Sequence, residues 1–142
     1  FVKGDTLLDV GTGAGLPGIP LAIVYPEKRV TLLDSNGKKI RFCRQVVMEL
    51  GLENVNPVHM RIEKMDREVH FSTITSRAFS DLILMLDLIG PLMDDKTQLL
   101  AMKGQVPEEE IQQIAERGFQ VNLEELKVPE IDGQRHLITI RK

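Results

Sequence analysis

The sequence predicts an α/β fold in which a mostly parallel sheet carries helices on both faces. Apolar segments of strand length alternate along the chain with segments of helical period, which is typical of parallel βαβ units. The last part breaks this alternation, because two strand-like runs flank the turn dipeptide Asp132-Gly133 and predict a terminal antiparallel pair. The 142 residues predict a single domain, 1–142, long enough to bury about two-thirds of its unfolded surface.

Each element follows from the spacing of apolar residues between turn signals. Strands are predicted near 6–10, 29–34, 55–59, 71–76 and 97–102, and helices near 17–25, 37–51, 79–90 and 107–118. With the terminal pair this gives a seven-stranded sheet, the architecture of the class I, Rossmann-like methyltransferases that use S-adenosylmethionine (SAM). A dinucleotide-binding domain more often ends in another parallel strand.

The second predicted helix divides into an apolar and a charged side. Its apolar residues recur at spacings of three and four and are predicted to share one buried face: Ile40, Cys43, Val47 and Leu50. Cys43 is therefore interpreted as a small core residue and not as a nucleophile. The opposite and flanking positions carry the cations Lys38, Lys39, Arg41 and Arg44. These form either a solvated surface or a contact to a phosphate backbone.

Composition excludes several classes of protein. Apolar residues make up 42% and charged residues 27%, and the net charge of −3 is not that of a dedicated nucleic-acid binder. No apolar run approaches the roughly 20 residues of a membrane span, and a single cysteine fits a reducing compartment, so a cytoplasmic location is expected. The histidines His59, His70 and His136 lack cysteine or close histidine partners, and no metal site is predicted.

A glycine-rich segment follows the first predicted strand and fits two nucleotide-binding patterns. The run from Gly13 to Gly18 matches the G-x-G-x-x-G fingerprint of dinucleotide-binding domains. The run from Asp9 to Gly15 matches the acidic-x-G-x-G-x-G pattern of SAM-dependent enzymes. The alternating glycines Gly11, Gly13 and Gly15 allow positive φ angles and a close approach of the backbone to a ligand.

Two acidic residues bear on the choice between these ligands. Asp9, at the end of the first strand, is expected to face the cleft, where a carboxylate repels a pyrophosphate and attracts the ammonium and sulfonium charges of SAM. Asp34 closes the second strand and is interpreted as the acceptor for both ribose hydroxyls of an adenosine, which NAD and SAM share. The alternative is that Asp34 only caps the helix beginning near Asn36. Glu63 is expected at the adenine edge, with an exposed surface acid as the alternative.

Several segments of the chain together resemble a known family over essentially the whole length. They are "DVGTGAGLPGIPLAI", "LLDSNGKKIRF", "RIE", "ITSRAF", "AMKGQ" and "DGQRHLITI". The family is that of the bacterial 16S ribosomal RNA guanine-N7 methyltransferases, also called glucose-inhibited division protein B. The resemblance implies transfer of a methyl group from SAM to N7 of a guanine, with small-subunit ribosomal RNA or the ribosomal particle as partner.

The resemblance also implies roles for individual residues. Gly11 and Leu16 match loop positions at which the family contacts SAM. Ile62 and Glu63 match contacts on the adenine side. Arg77 matches a contact beyond the fourth strand. Three roles stay open for it: contact with the SAM carboxylate, which the family match favours, contact with guanine O6 or a phosphate, or pairing with Asp9 as scaffold.

Further signature positions are Lys103-Gly104 and Arg135-His136, from which Lys103, Arg135 and His136 are taken as candidates for binding the substrate. The chain departs from the family at Gln134, where a glutamate is common. It also lacks the family's N-terminal helical segment and begins without methionine, so we expect a longer protein whose upstream segment helps to hold RNA.

Methylation of guanine N7 needs few catalytic groups. The N7 lone pair lies in the ring plane and carries no proton, so no residue is predicted to act as a general base, and positioning suffices. The run Ser76-Arg77-Ala78-Phe79 agrees with this, because enzymes acting on exocyclic amines usually carry an Asn/Asp-Pro-Pro-aromatic motif there. Two alternatives stay open: an NAD-dependent oxidoreductase, and a SAM-binding module without catalytic activity.

Overall fold

A computed structural model of the chain describes residues 2–77, 81–103, 108–126 and 135–142. The described residues form a seven-stranded sheet with the strand order β3-β2-β1-β4-β5-β7-β6. The strands are β1 (Thr6–Val10), β2 (Arg29–Asp34), β3 (Val55–His59), β4 (Thr73–Arg77), β5 (Gln98–Lys103), β6 (Gln120–Leu126) and β7 (Arg135–Arg141). The helices are α1 (Gly18–Val24), α2 (Gly37–Leu50), α3 (Leu82–Ile89) and α4 (Glu108–Glu116), with short 3-10 turns at Ile62–Lys64 and Gly90–Leu92.

The pairing of the strands confirms the predicted architecture. Strands β1 to β5 run parallel, and β7 lies antiparallel between β5 and β6. Every predicted helix and strand is present within a few residues of its expected bounds. The predicted turn at Asp132-Gly133 lies outside the described residues.

Two apolar clusters cover the two faces of the sheet. On one face, α1 and α2 pack against β1 and β2 around Leu32 and Cys43, both fully buried. On the other face, α3 and α4 pack against the central strands and β7 around Leu86, Ile114 and Ile138. Each large aliphatic side chain removed from water in this way contributes about 1.5–3 kcal/mol. Within the described part of the chain, no helix is long and apolar enough to cross a membrane.

Helix α2 follows the predicted amphipathic pattern over its first turns only. Ile40 and Cys43 are fully buried, as predicted, and Val47 is half-buried. The prediction for Leu50 is wrong, since this side chain is 55% exposed. Leu50 is the last residue of the helix and lies past the end of the apolar cluster, which Leu52 in the following segment contacts instead.

The order of the strands creates a crevice at one edge of the sheet. The chain moves from β1 outward to β2 and β3, and then returns to the other side of β1 with β4 and β5. At such a reversal the loops that leave neighbouring strands diverge, and open α/β sheets bind their ligands there, at the carboxyl ends of the strands.

Candidate functional site

A cleft opens at this edge, between the ends of β1 and β2 and the segment that follows β3. It measures about 340 Å³ and is lined by Val10, Gly11, Leu33, Asp34, Ser35, Met60, Arg61, Ile62 and Glu63. Four residues predicted to hold a cofactor therefore lie together: Gly11, Asp34, Ile62 and Glu63. Depressions of about 450 and 500 Å³ lie at the opposite, amino-terminal edge, where open α/β sheets do not usually bind ligands.

The apolar walls of the cleft were missed by sequence reasoning. Leu33 and Met60 line it beside the half-buried Ile62. The backbone N–H of Met60 donates to the carbonyl oxygen of Asp34 at 3.0 Å, which ties the segment after β3 to the end of β2. A signal was available, because the residue that directly follows a parallel strand always emerges at the carboxyl edge of the sheet.

The glycine loop after β1 has the predicted backbone conformation. Gly11, Gly13 and Gly15 have φ angles of 67°, 58° and 87°, in the left-handed region that favours glycine. A Cβ atom on Gly15 would lie 2.3 Å from Cδ1 of Ile19, whereas a Cβ atom on Gly11 would meet nothing within 4 Å. Gly15 is therefore required by packing, and Gly11 leaves open space on the wall of the cleft.

Leu16 is placed differently from the other predicted cofactor residues. Its side chain is 45% exposed on the loop before α1, and it does not belong to the lining of the cleft. Its backbone N–H donates to the carbonyl oxygen of Thr12 at 3.2 Å. A role for Leu16 in holding the cofactor stays a prediction.

Asp9 lies inside the loop and not in the cleft. Its side chain is fully buried. One carboxylate oxygen accepts hydrogen bonds from Thr12 Oγ1 at 2.7 Å and from the Gly18 N–H at 3.0 Å, and the other accepts one from Thr75 Oγ1 at 3.0 Å. The prediction that Asp9 faces the cleft is therefore wrong. Successive side chains of a strand point to opposite faces, and the next residue, Val10, is the one that lines the cleft.

This placement changes the argument about the ligand. A pyrophosphate in a dinucleotide-binding fold sits on the free N–H groups of the helix that follows the glycine loop. Here the N–H of Gly18 donates to Asp9, and the N–H of Ile19 donates to the carbonyl oxygen of Gly15 at 2.7 Å. The donors at the start of α1 are thus used within the protein. This disfavours a pyrophosphate more directly than the repulsion across the cleft that the sequence suggested.

Asp34 lies on the wall of the cleft and is half-buried. Its Oδ2 accepts the N–H of Gly13 at 2.9 Å, and its Oδ1 accepts the N–H of Asn36 at 2.9 Å. The N-cap of α2 is Asn36, whose side-chain oxygen accepts the N–H groups of Lys38 and Lys39. The alternative that Asp34 only caps this helix is therefore wrong. Each carboxylate oxygen can accept a further hydrogen bond, so the group can receive ribose hydroxyls as well.

Cys43 is a structural residue, as predicted. Its Sγ is fully buried and donates to the carbonyl oxygen of Gly13 at 3.4 Å, so the thiol holds the glycine loop against α2. Burial raises the pKa of the Cys43 thiol, and the negative charges of Asp34 and Asp9 raise it further. A thiol kept protonated in this way is a poor nucleophile. Within the described residues, no group of three His, Cys, Asp or Glu side chains is placed to hold a metal ion.

Ser76 adds a polar group next to the cleft. Its hydroxyl is buried, with the residue 3% exposed, and has no hydrogen-bond partner in the described part of the chain. Ser76 pairs in register with Val10, a cleft residue. A buried hydroxyl without a partner is unfavourable for the stability of the fold.

The register of the strands brings the candidates for substrate binding to the same edge. Arg77 is the last residue of β4, and Lys103 is the last residue of β5. Because β7 runs in the opposite direction, its first residues Arg135 and His136 lie at this edge, and His136 pairs with Lys103. Side-chain positions of Arg77, Lys103 and Arg135, and all of Phe79, Gly104 and Gln134, lie outside what the structure describes.

The profile of one protein family, described as GidB, rRNA small subunit methyltransferase G, matches residues 1–138. The chain belongs to this family. Two curated relatives are each named Ribosomal RNA small subunit methyltransferase G. The one from Marinobacter nauticus is 50% identical over 143 residues, covering 100% of this chain and 66% of the relative. The one from Alteromonas mediterranea is 48% identical over 141 residues, covering 99% of this chain and 67% of the relative. The chain spans about two thirds of the length of both.

Solved structures confirm the fold that positions the cleft. Precorrin-6y C5,15-methyltransferase from Geobacter metallireducens superposes with a TM-score of 0.76 at 15% identity, covering 99% of this chain and 82% of the other. TrmK from M. capricolum in complex with S-adenosylhomocysteine gives 0.76 at 16% identity, covering 97% and 62%. Family and fold together make the chain a SAM-dependent methyltransferase of the GidB family, and the alternative of an NAD-dependent oxidoreductase is wrong.

Proposed function

We propose that this chain binds SAM in the 340 Å³ cleft and transfers its methyl group to N7 of a guanine in small-subunit ribosomal RNA, in the cytoplasm. The observation that carries the proposal is the assembly of Gly11, Asp34, Ile62 and Glu63 in one cleft at the carboxyl edge of the sheet. These residues come from three separate segments, at or after the ends of β1, β2 and β3. Membership of the GidB family supports the same reaction.

The cleft suits the adenosine half of SAM. Asp34 has acceptor capacity left for the two ribose hydroxyls, and Gly11 leaves room for the ribose to approach the backbone. The apolar side chains of Leu33, Met60 and Ile62 provide a wall against which the adenine ring packs. Glu63 accepts a hydrogen bond from the exocyclic amine of the adenine. Asp9 contributes by holding the loop and α1 in place, and not by touching the cofactor.

The reaction depends on alignment. When bound, SAM supplies an electrophilic methyl group on its sulfonium. The residues of the chain then hold guanine N7 in line with that S–CH₃ bond, and alignment of this kind lowers a barrier by about 7–11 kcal/mol. Arg77, Lys103, Arg135 and His136 stand at the strand ends where the guanine and its flanking phosphates have to lie. No proton is removed from N7 before attack, so no general base is needed.

Calorimetry and product analysis test the proposal. S-adenosylhomocysteine is expected to bind and NAD to show no measurable heat. With labelled SAM and small-subunit ribosomal RNA, the label is expected in N7-methylguanosine after digestion to nucleosides. Label in another nucleoside would contradict the N7 assignment. Binding of S-adenosylhomocysteine with no label in any RNA, naked or in the particle, would favour a SAM-binding module without activity.

We also propose that efficient methylation needs a segment beyond this chain. The relatives extend past the matched part by about one third of their length. The net charge of −3 leaves only local surfaces to hold a polyanion. Joining the unmatched third of the Alteromonas mediterranea relative to this chain is expected to raise the methylation rate strongly with S-adenosylhomocysteine affinity unchanged. Equal rates for both forms would contradict this.

A further inference from the structure

We propose that the exposed surface of the first two turns of α2 is a docking surface for a single-stranded segment of the substrate RNA, an inference that rests on the proposed function. We call this surface the α2 basic face. It consists of the exposed residues Lys38, Lys39, Arg41, Phe42 and Arg44.

The first observation is uncompensated positive charge. Four cations occur within seven residues, in a chain whose net charge is −3. Within the described residues none of the four forms an ion pair. The acid at the far end of the same helix, Glu49, accepts a hydrogen bond from Gln45 instead, at 2.9 Å. The charge of the face is thus available to an external anion.

The second observation is where two of these cations stand. Lys38 and Lys39 occupy the first turn of α2, which contains no acidic residue. The amino-terminal end of a helix carries a partial positive charge, so lysines there are destabilising. Lysines in an unfavourable helix position, without a compensating contact in the fold, indicate that the positive charge serves a function.

The third observation is an exposed aromatic ring among the cations. Phe42 is 52% exposed and points away from Ile40 and Cys43, which are fully buried on the other side of the helix. It lies one helical turn after Lys38. Cations beside an exposed ring match single-stranded RNA, because phosphates contact the cations while an unpaired base stacks on the ring. In a duplex the bases are already stacked on each other, so a duplex is not expected to stack on Phe42.

The α2 basic face is positioned to contact an RNA strand whose target guanine lies at the cleft. Helix α2 begins three residues after Asp34, and Gly37 packs against the ring of His59 at the end of β3. With a rise of about 1.5 Å per residue, the whole face lies within about 10 Å of the first residue of α2 along the helix axis. Nucleotides next to a target guanine at the cleft therefore come within reach of these side chains.

Two matched pairs of variants test the inference in the S-adenosylhomocysteine-bound chain. Lys38→Gln, Lys39→Gln and Arg41→Gln are combined and compared with the combination Arg29→Gln, Lys96→Gln and Lys142→Gln, which removes equal charge at the amino-terminal edge. Phe42→Ala is compared with Met48→Ala, which removes another exposed apolar side chain of α2. Binding of a labelled single-stranded RNA, and of a duplex of equal length, is measured by anisotropy between about 50 and 200 mM salt.

The α2 triple variant is expected to lower the magnitude of the salt slope for single-stranded RNA by about two, since each phosphate contact contributes about 0.7. Phe42→Ala is expected to weaken single-strand binding about 5- to 150-fold and to leave duplex binding unchanged. The amino-edge triple variant and Met48→Ala are expected to bind like the unmodified chain. Equal losses in the two triple variants, or an unchanged affinity in Phe42→Ala, would overturn the inference.

Two further results separate this inference from the proposed function. Loss of N7-methylguanosine formation in the α2 variants with S-adenosylhomocysteine affinity intact supports docking. If the chain joined to the unmatched third of the Alteromonas mediterranea relative shows no methylation while the α2 variants lose single-strand binding, the proposed reaction is contradicted and the docking surface is still supported. If the α2 variants lose binding to anionic phospholipid vesicles and keep RNA binding, the α2 basic face binds a lipid surface and the inference is overturned.

Discussion

The ends of β1 and β2 each carry an aspartate, and the two aspartates have different environments. Asp9 is the fourth residue of β1 and is fully buried, and its oxygens accept hydrogen bonds from the loop, α1 and β4. Asp34 is the last residue of β2, half-buried on the wall of the cleft, and each of its oxygens accepts one backbone N–H.

The difference comes from how deep in the sheet each aspartate lies along its strand. In the parallel register Asp9 lies beside Leu32, so it is two positions behind the edge that Asp34 occupies. At that depth a carboxylate is tolerated only if the protein satisfies it. At the edge, the same group keeps capacity for a ligand. An acidic residue in a SAM-binding pattern can therefore shape the loop without touching the cofactor.

Removal of Asp9 is expected to have the largest effect, and this effect is on stability. Asp9→Ala leaves Thr12 Oγ1 and the Gly18 N–H without their acceptor in a buried place, and Thr75 Oγ1 keeps only the Leu8 carbonyl oxygen at 3.5 Å. The free energy of unfolding is therefore expected to fall by about 2–4 kcal/mol. Urea unfolding measures this. A variant as stable as the unmodified chain that loses affinity for S-adenosylhomocysteine would instead place Asp9 in contact with the cofactor.

Removal of Asp34 is expected to act on the cofactor more than on the fold. Hydrogen bonds to a charged acceptor contribute about 1.5–3 kcal/mol, so Asp34→Ala should weaken binding of S-adenosylhomocysteine by about 10- to 150-fold in calorimetry. Asp66→Ala is the matched control, because Asp66 accepts the N–H two residues ahead in the same way at 2.9 Å but does not line the cleft. An unchanged dissociation constant in folded Asp34→Ala would show that the residue only holds the loop.

Ser76, on the neighbouring strand β4, is expected to give a smaller effect. Ser76→Ala removes a buried hydroxyl that lacks a partner, so the unliganded chain is expected to become slightly more stable, by about 1 kcal/mol or less, while affinity for S-adenosylhomocysteine falls several-fold. Ser72→Ala, which removes a hydroxyl paired with Thr6 Oγ1 at 3.3 Å, should destabilise the fold without an effect on affinity. Loss of stability in Ser76→Ala with unchanged affinity would argue against a cofactor contact.

The sequence predicted the fold well because periodicity reports burial. The alternation of strand-length and helix-period segments predicted all the strands and helices, and the terminal antiparallel pair was visible from a turn dipeptide. The spacing did not predict the exposure of Leu50, because whether the last turn of a helix is covered depends on where the opposing cluster ends.

The sequence predicted which residues belong to the site, but it did not predict the directions in which their side chains point. Resemblance and spacing brought Gly11, Asp34, Ile62 and Glu63 to one cleft. The direction of Asp9 depends on the depth of its strand in the sheet, which no local pattern encodes. The pairing of Lys103 with His136 depends on the register between distant strands.

The last comparison concerns protons, and here both aspartates are expected to behave alike. Neither aspartate is expected to accept a proton from the substrate, because guanine N7 is unprotonated before attack. The methylation rate lost in Asp34 variants should therefore be recovered at saturating SAM.

A general base that titrates near neutrality would make the methylation rate depend on pH around its own pKa. Single-turnover rates with saturating SAM are therefore expected to stay nearly flat over about pH 6–9, since carboxyl groups ordinarily titrate below this window and guanidinium groups above it. An ascending limb that disappears when one acidic or histidine residue, such as His136, is replaced with SAM binding intact would refute the mechanism. It would also point to a target atom that carries a proton.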